Sequence, residues 1–591
     1  MIRNLVLLFV LVSFFSCKDK EYQTLEGKIH ATVEGKIDVL TVALNDLENT
    51  KDKNKLLLKF QDCRGQYKKI EPFVEYYFQG HSRRINGPAL PEIKTDDNIV
   101  NDAAGFQVIE ELIYSDSIDL VELKKQVRIL KTDIRFIRQN FKDLPIQKHH
   151  FYELIQHQII RIATLGITGF DSPVAFKSLE ESIYAIEGIE EFYKTYCDIN
   201  NQVVSQDYIE LSKKATKYLK QNNDFNTFNR LEFIKNHLMP LSVAFEKEFK
   251  KVIDKTPNFD KNKVFSGHLA DLMQGKKLNP DAFSPFAASI STPEKTALGK
   301  ILFNDNNLSR SNTMSCATCH NAEKAFTDGK TISAANIHSN SIKRNSPTLL
   351  YSSFQKSFFY DMRSQDLENQ IESVMKNPDE FNLSPKDIQD KISTNKDLIQ
   401  LFTKAFPDKK EITPYEIRNA IASYVRSLMP FNSKIDHFFA DKAALTESEV
   451  NGFNLFAGKA KCASCHFIPV YNGTVPPWYN NSESEVIGVP KNIEWKNAII
   501  DSDEGRYKFN PIEQLRFSFK TPTVRNINKT APYMHNGVYN TLEEVVKFYE
   551  LGGGNGIGMK LAHQTLPFDN LKLTETEKQH IIQFMKTLTD Y

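Results

Sequence analysis

From about Thr24 to Phe249, apolar residues return every three or four positions, as Leu120, Leu123, Val127 and Leu130 do, and this period places them on one face of a helix. Alternating strand-like runs are scarce there, so the stretch predicts a series of long helices. The rhythm breaks between Asp254 and Pro285, where Pro257, Asn258, Gly275, Asn279, Pro280 and Pro285 cluster. Such residues punctuate a chain, and 254–290 reads as a linker between a helical domain over 24–253 and a second half. In that second half, short periodic segments such as Ile417 to Leu428 alternate with long loops rich in Asn, Ser, Pro and Gly. Long loops around short helices suit a unit whose core is completed by a large bound group. The whole pattern predicts an all-α protein.

One apolar run stands outside this pattern. Arg3 precedes Leu5 to Val12, and Phe14-Phe15-Ser16 leads into Cys17. The run is too short to span a bilayer and has the layout of an export signal. Its small residue before a cysteine resembles the lipobox of bacterial lipoproteins, so 1–17 is expected to be a signal peptide that leaves Cys17 lipidated and the protein at the periplasmic cell envelope. The anchor would then be the protein's membrane contact. An ordinary secretory signal is the competing reading.

Composition changes the picture little. At 591 residues the chain is long enough for roughly two to four domains. Lys and Arg number 75 against 74 Asp and Glu, so no global field favours nucleic acid, and none is expected as a partner. Cys63 and Cys197 are the cysteines of the helical half, and an oxidising compartment would permit either a disulfide or two buried thiols.

Chemistry enters with two segments, Cys316-Ala317-Thr318-Cys319-His320 and Cys462-Ala463-Ser464-Cys465-His466. Both read C-x-x-C-H, the spacing that lets two thiols on one turn add to the vinyl groups of a porphyrin while the adjacent imidazole reaches its iron. Zinc sites and thioredoxin-like pairs also use C-x-x-C, but neither needs the following histidine, and the two pairs lie far apart for a zinc ribbon. Two covalently bound haem c groups are therefore expected, with His320 and His466 as iron ligands.

Further segments carry a resemblance. Leu298-Gly299-Lys300-Ile301-Leu302-Phe303-Asn304-Asp305, Arg344-Asn345-Ser346-Pro347-Thr348-Leu349-Leu350, Lys520-Thr521-Pro522-Thr523-Val524-Arg525-Asn526 and Thr530-Ala531-Pro532-Tyr533-Met534-His535-Asn536-Gly537 look like the bacterial di-haem cytochrome c peroxidase and MauG superfamily. The likeness covers roughly Ser291 to Tyr591. It implies two cytochrome c-like domains, 291–430 with a peroxidatic haem and 431–591 with an electron-transfer haem.

The resemblance also implies roles. Gln370 and Glu380 would line the peroxide side of the first haem, where a carboxyl can move a proton between the two oxygens. Tyr360 stands where relatives often carry a tryptophan between the haems, which implies an electron relay, and Val374 replaces a common proline. His338 is the histidine placed to cap the first iron; otherwise that iron is open. For the second iron Tyr549 matches the position that is methionine in ordinary peroxidases and tyrosine in MauG, while Met534 competes by chemistry. Asn345, Thr530 and Pro532 would hold one calcium ion through hard oxygen donors.

In the first half, Tyr67-Lys68-Lys69-Ile70-Glu71-Pro72-Phe73 and Gly105-Phe106-Gln107-Val108-Ile109-Glu110 are similar to segments of imelysin-like helical domains. Gln107 replaces the usual histidine, which argues against a metal there, and base rates read Glu71 and Glu110 as exposed helix positions, with paired carboxylates inside the bundle as the alternative. The expected activity is reduction of hydrogen peroxide with electrons from a small donor such as cytochrome c, in a protein that could form a homodimer. A MauG-like oxidase acting on a protein or organic substrate, and a non-catalytic electron-transfer cytochrome, are the alternatives.

Overall fold

A computed structural model describes residues 24–95, 97–253, 263–333, 342–567 and 569–591. The expected signal peptide, Cys17 and His338 lie outside the described residues. The chain divides into two units, one running to residue 259 together with 268–270, the other made of 260–267 and 271–591. Among the described residues, no helix is long and apolar enough to cross a membrane.

The first unit is built of long helices, including Leu25–Asn49, Lys53–Tyr77, Leu120–Phe141, Lys148–Thr164 and Ser178–Ile199. Their starts are set by side-chain caps. Thr24 accepts from the Gly27 amide, Asp52 from Lys55 and Asp119 from Val121 and Glu122, each satisfying an amide that a helix start leaves without a partner. Ile29, Val33, Ile37, Leu40, Leu44 and Leu47 face the core at helical spacing. A two-stranded antiparallel ladder, Glu92–Lys94 with Ile99–Asn101, is a first departure from the all-α expectation.

Glu71 and Glu110 are not exposed, as expected from the sequence, but each about 1% accessible. The reason is a layer of opposite charge supplied by other segments. Lys68 Nζ lies 2.6 Å from both Glu71 and Asp171, Arg161 grips Asp171 at 2.6 and 2.9 Å, and Arg64 Nε reaches Glu181 at 2.8 Å. Buried charges persist only when paired and hydrogen-bonded in this way. Glu110 accepts from Ser172 Oγ and the Ala175 amide, and Gln107 donates to the Phe170 carbonyl. Cys63 and Cys197 are buried free thiols.

In the second unit the helices are shorter and come in crossing pairs. Pro293–Phe303 packs on Pro414–Arg426, and Glu447–Phe456 on Glu575–Thr587. Both crossings are closed by a glycine: a methyl group on Gly299 would collide with the Ala420 carbonyl, and one on Gly452 with the His580 carbonyl. Gly299 is followed by Leu302-Phe303 and Gly452 by Leu455-Phe456, so the two pairs repeat one packing solution. The Ser484–Val486 and Ser518–Lys520 strands form a second short ladder. The described part of the expected linker is folded: Asn279 N donates to the Val264 carbonyl at 2.8 Å, and Phe265 and Met273 are buried. Within it 268–270 group with the first unit and the remaining residues with the second, and the turn-forming residues supply the bends.

Candidate haem sites

The first C-x-x-C-H segment forms one helical turn, Cys316–Cys319, fixed by reciprocal Ser315 and Thr318 capping bonds. The His320 amide donates to the Cys316 carbonyl at 2.9 Å, which closes the turn. His320 Nδ1 lies 3.0 Å from the Phe326 carbonyl and 3.2 Å from Ser346 Oγ, whose own proton goes to the Cys319 carbonyl at 2.7 Å. A carbonyl can only accept, so Nδ1 carries the proton and Nε2 keeps its lone pair. Ala325 and Phe326 both have φ near the left-handed region, 52° and 58°, which turns the chain back beneath the ring. Thr348 Oγ1 holds that turn by donating to the Ala325 carbonyl at 2.6 Å.

The second segment repeats the arrangement with different residues. His466 N donates to the Cys462 carbonyl at 2.9 Å, and His466 Nδ1 lies 3.0 Å from the Pro522 carbonyl and 3.3 Å from that of Tyr471. Thr523 Oγ1 donates to the Val470 carbonyl at 2.6 Å, as Thr348 does in the first site. Behind it, Arg525 joins the Pro469 carbonyl at 2.9 Å to Asp436 at 2.7 and 2.9 Å, all buried. Ser346-Pro347-Thr348 and Thr521-Pro522-Thr523 are thus the same clasp, used twice. Burial lowers both imidazole pKa values, keeping the rings neutral.

These donor sets fit a covalently attached haem. All four cysteines are free, adjacent and on one turn per site, and each imidazole is oriented through the nitrogen that iron does not need. In the bare protein, burial pushes the Cys316, Cys319 and Cys462 thiols up to about 12 and raises Cys465 well above the usual thiol range.

The other groups near the two cysteine pairs differ. Beside Cys316 and Cys319 lies the carboxyl of Glu380, raised to about 7 by burial against the opposing effects of the Asn377 amide, 3.2 Å away, and Arg363. Gln370 is half-buried on the helix Leu367–Lys376, a turn that Asp366 caps. Tyr360 OH donates to Asn345 Oδ1 at 2.6 Å, and burial raises its phenol well above the usual range. Beside Cys462 and Cys465 lies the Tyr549 phenol, raised by burial and then by those two thiols. Met534 is half-buried in the turn Tyr533–Gly537 with φ 72°. Glu485, which sequence reasoning missed, hydrogen-bonds Cys465 and Thr565 from the strand Ser484–Val486, and burial raises its carboxyl.

The expected calcium ligands come together in part. Asn345 Nδ2 donates to the Pro532 carbonyl at 2.9 Å while its Oδ1 accepts from Tyr360, so these two residues are satisfied by each other and the phenol. Thr530 caps its own turn through the Ile527 carbonyl at 3.3 Å. Arg344, one residue earlier, bridges Asp361 at 2.6 Å and Asp503 at 2.6 and 3.0 Å, tying the first expected haem part to the second.

A sequence profile of the family described as di-haem cytochrome c peroxidase matches residues 293–444. The chain is 32% identical over 313 residues to methylamine utilization protein MauG of Methylorubrum extorquens, covering 52% of this chain and 82% of that one. It is 33% identical over 302 residues to cytochrome c551 peroxidase of Nitrosomonas europaea, covering 50% and 81%. Among solved structures, a MauG-like protein associated with microbial copper homeostasis aligns with TM-score 0.45 and 31% identity over 51% of this chain and 91% of that chain.

Proposed function

Since the chain belongs to the di-haem cytochrome c peroxidase family, a family of oxidoreductases, we propose that its C-terminal half reduces hydrogen peroxide to water with electrons from a small external donor such as cytochrome c. Membership implies haem c, which Cys316, Cys319 and His320 would hold in 291–430 and Cys462, Cys465 and His466 in 431–591. Haem bound there supplies iron that exchanges electrons with peroxide.

The observation that carries this reading is the Glu380 carboxyl beside Cys316 and Cys319, with a pKa of about 7. At neutral pH it is both available as a base and able to hold a proton. Glu380 takes the proton from the near oxygen of peroxide and returns it to the far oxygen as the O–O bond breaks. Two electrons and two further protons complete two waters. Gln370 orients the peroxide by hydrogen bonding, and Tyr360, bonded to Asn345, lies on the connection between the halves as a relay. His338 would be the histidine available to cap the first iron, which otherwise would be open to peroxide.

Tyr549 favours a second reading. The Tyr549 phenol near the second motif would, once it gave up its proton on binding iron, supply a hard oxygen suited to ferric and more oxidised iron, as in a MauG-like oxidase working on a protein or organic substrate. Peroxide titration of the haem-loaded protein, followed by absorption and EPR, tests both. Turnover with reduced cytochrome c supports the peroxidase, a long-lived oxidised state shared by both haems supports the oxidase, and no reaction at either iron leaves an electron-carrying cytochrome. The resting EPR spectrum decides between Tyr549 and Met534 at the second iron.

Three further parts of the proposal stand apart. Calcium would bind Asn345, Thr530 and Pro532 after a half-turn of the Asn345 amide brings its oxygen to face the Pro532 carbonyl. Anchoring through a lipid on Cys17 would place the protein at the cell envelope, and metabolic labelling with a fatty acid, lost in Cys17→Ala, checks it. The helical first unit is proposed to be imelysin-like and to present the haem half or bind an envelope partner.

A further inference from the structure

Electrons for peroxide reduction must reach the second site from outside, and one file of aromatic rings leads there. Trp495 is half-buried and stacks on the fully buried Tyr539, centroids 5.6 Å apart and planes within 6°. Tyr539 packs on Phe548 at 5.6 Å, and Phe548 on Tyr549 at 5.5 Å. Tyr549 lies within electrostatic reach of Cys462 and Cys465. The three ring-to-ring steps are packed aromatic pairs, and tunnelling through packed matter falls off far less steeply with distance than across a gap. The Tyr539 hydroxyl is buried without a hydrogen-bond partner, so its position is set by the ring stack rather than by a polar contact.

The outer end of the file has the make-up of a transient docking surface. Ile493 and Ile499, 42% and 67% exposed, flank Trp495. Lys491 and Lys496 are exposed on the same loop, and Lys547 Nζ sits 4.3 Å above the indole, with Glu494 as the loop's own carboxylate. A small apolar centre with a cationic rim is what a weak electron-transfer encounter needs: little buried area, and charge to steer the partner. The lysine over the ring makes a tryptophan radical cation costly, so Trp495 conducts without storing an oxidising equivalent.

We propose that Trp495, Tyr539, Phe548 and Tyr549 form the electron entry to the second haem, and that the lysine-rimmed surface around Trp495 docks a small redox protein with an acidic rim. The partner rests on the peroxidase reading above; the route itself needs only the second haem. Each encounter moves one electron from the donor, which is oxidised, to the second site, which is reduced by one level. Two encounters match the two electrons of one peroxide, its two protons coming from solvent.

Stopped-flow reduction of the oxidised, haem-loaded full chain, without peroxide, tests this. The probes are a reduced acidic blue-copper protein and hydroquinone. Trp495→Ala should slow reduction by the copper protein about tenfold or more, and Lys496→Glu with Lys547→Glu should cut it about tenfold at low salt but little at high salt. Hydroquinone should reduce all forms within about twofold of one another, as it needs no docking. Trp495→Phe, which keeps the packing, should lie between, with haem absorption and thermal melting unchanged. Equal copper-protein rates for wild type and Trp495→Ala, or a wild type reduced by hydroquinone alone, overturn the entry route. A protein that follows these rates yet consumes no peroxide overturns the peroxidase reading and leaves the route standing.

Discussion

The two haem sites are alike underneath and unlike on top. Under His320 and under His466 the chain makes the same clasp, with a Ser-Pro-Thr or Thr-Pro-Thr segment delivering the acceptor, and Thr348 and Thr523 holding the loop that follows each motif. The groups near the cysteines differ, with Glu380 in electrostatic reach of the first pair and Tyr549 of the second. Holding a haem is thus a solved problem solved twice, whereas the chemistry proposed for each site rests on one such residue. A duplicated scaffold can diverge in function without touching what keeps the cofactor in place.

The largest effect that would break this comparison is expected at Glu380. Glu380→Gln should lower the rate of the peroxide reaction about 10²–10⁴-fold, the range typical of a positioned proton carrier, and leave the absorption of the second haem unaltered. An equal loss in a Glu485→Gln variant would mean that the faces are not specialised. Next comes the support of the second clasp. Arg525 and Asp436 are 1% and 3% accessible in their side chains, and Asp436→Ala strands the guanidinium, which should cost about 3–5 kcal/mol of stability in denaturant melts.

The pH profile sharpens the contrast further. Glu380 must be ionised to accept the first proton, so the wild-type rate should climb about tenfold per unit as pH rises toward 7 and level off above it. Glu380→Gln should flatten that limb, while Glu485→Gln keeps it. The smallest effect is expected from the clasps themselves. Ser346→Ala and Thr523→Val each remove a hydroxyl that makes two hydrogen bonds and should destabilise by about 1–2 kcal/mol, each broadening the EPR signal of its own haem only.

How legible this was in the sequence depends on the kind of partner. The four cysteines and two histidines announce themselves because a porphyrin dictates their spacing, and the long helices of the first unit follow from apolar periodicity. The clasps were hidden, since His320 and His466 are oriented by the carbonyls of Phe326, Tyr471 and Pro522, and every residue type carries a carbonyl. Glu71 and Glu110 misled for a related reason. Their partners include Arg161 for Glu71 and Ser172 for Glu110, both far along the chain, so the local pattern shows charge without showing burial.

Arg344 deserves a last consequence. Its guanidinium is shared between Asp361 and Asp503, and two positions along the chain Ser346 touches His320. The arrangement works as a lever with a very short arm: a shift of the segment bearing Asp503 pulls on Arg344 and is passed within two peptide units to the ring beneath the first iron. A shift that accompanied a change of oxidation level in one half would thus have a short path to the other through Arg344.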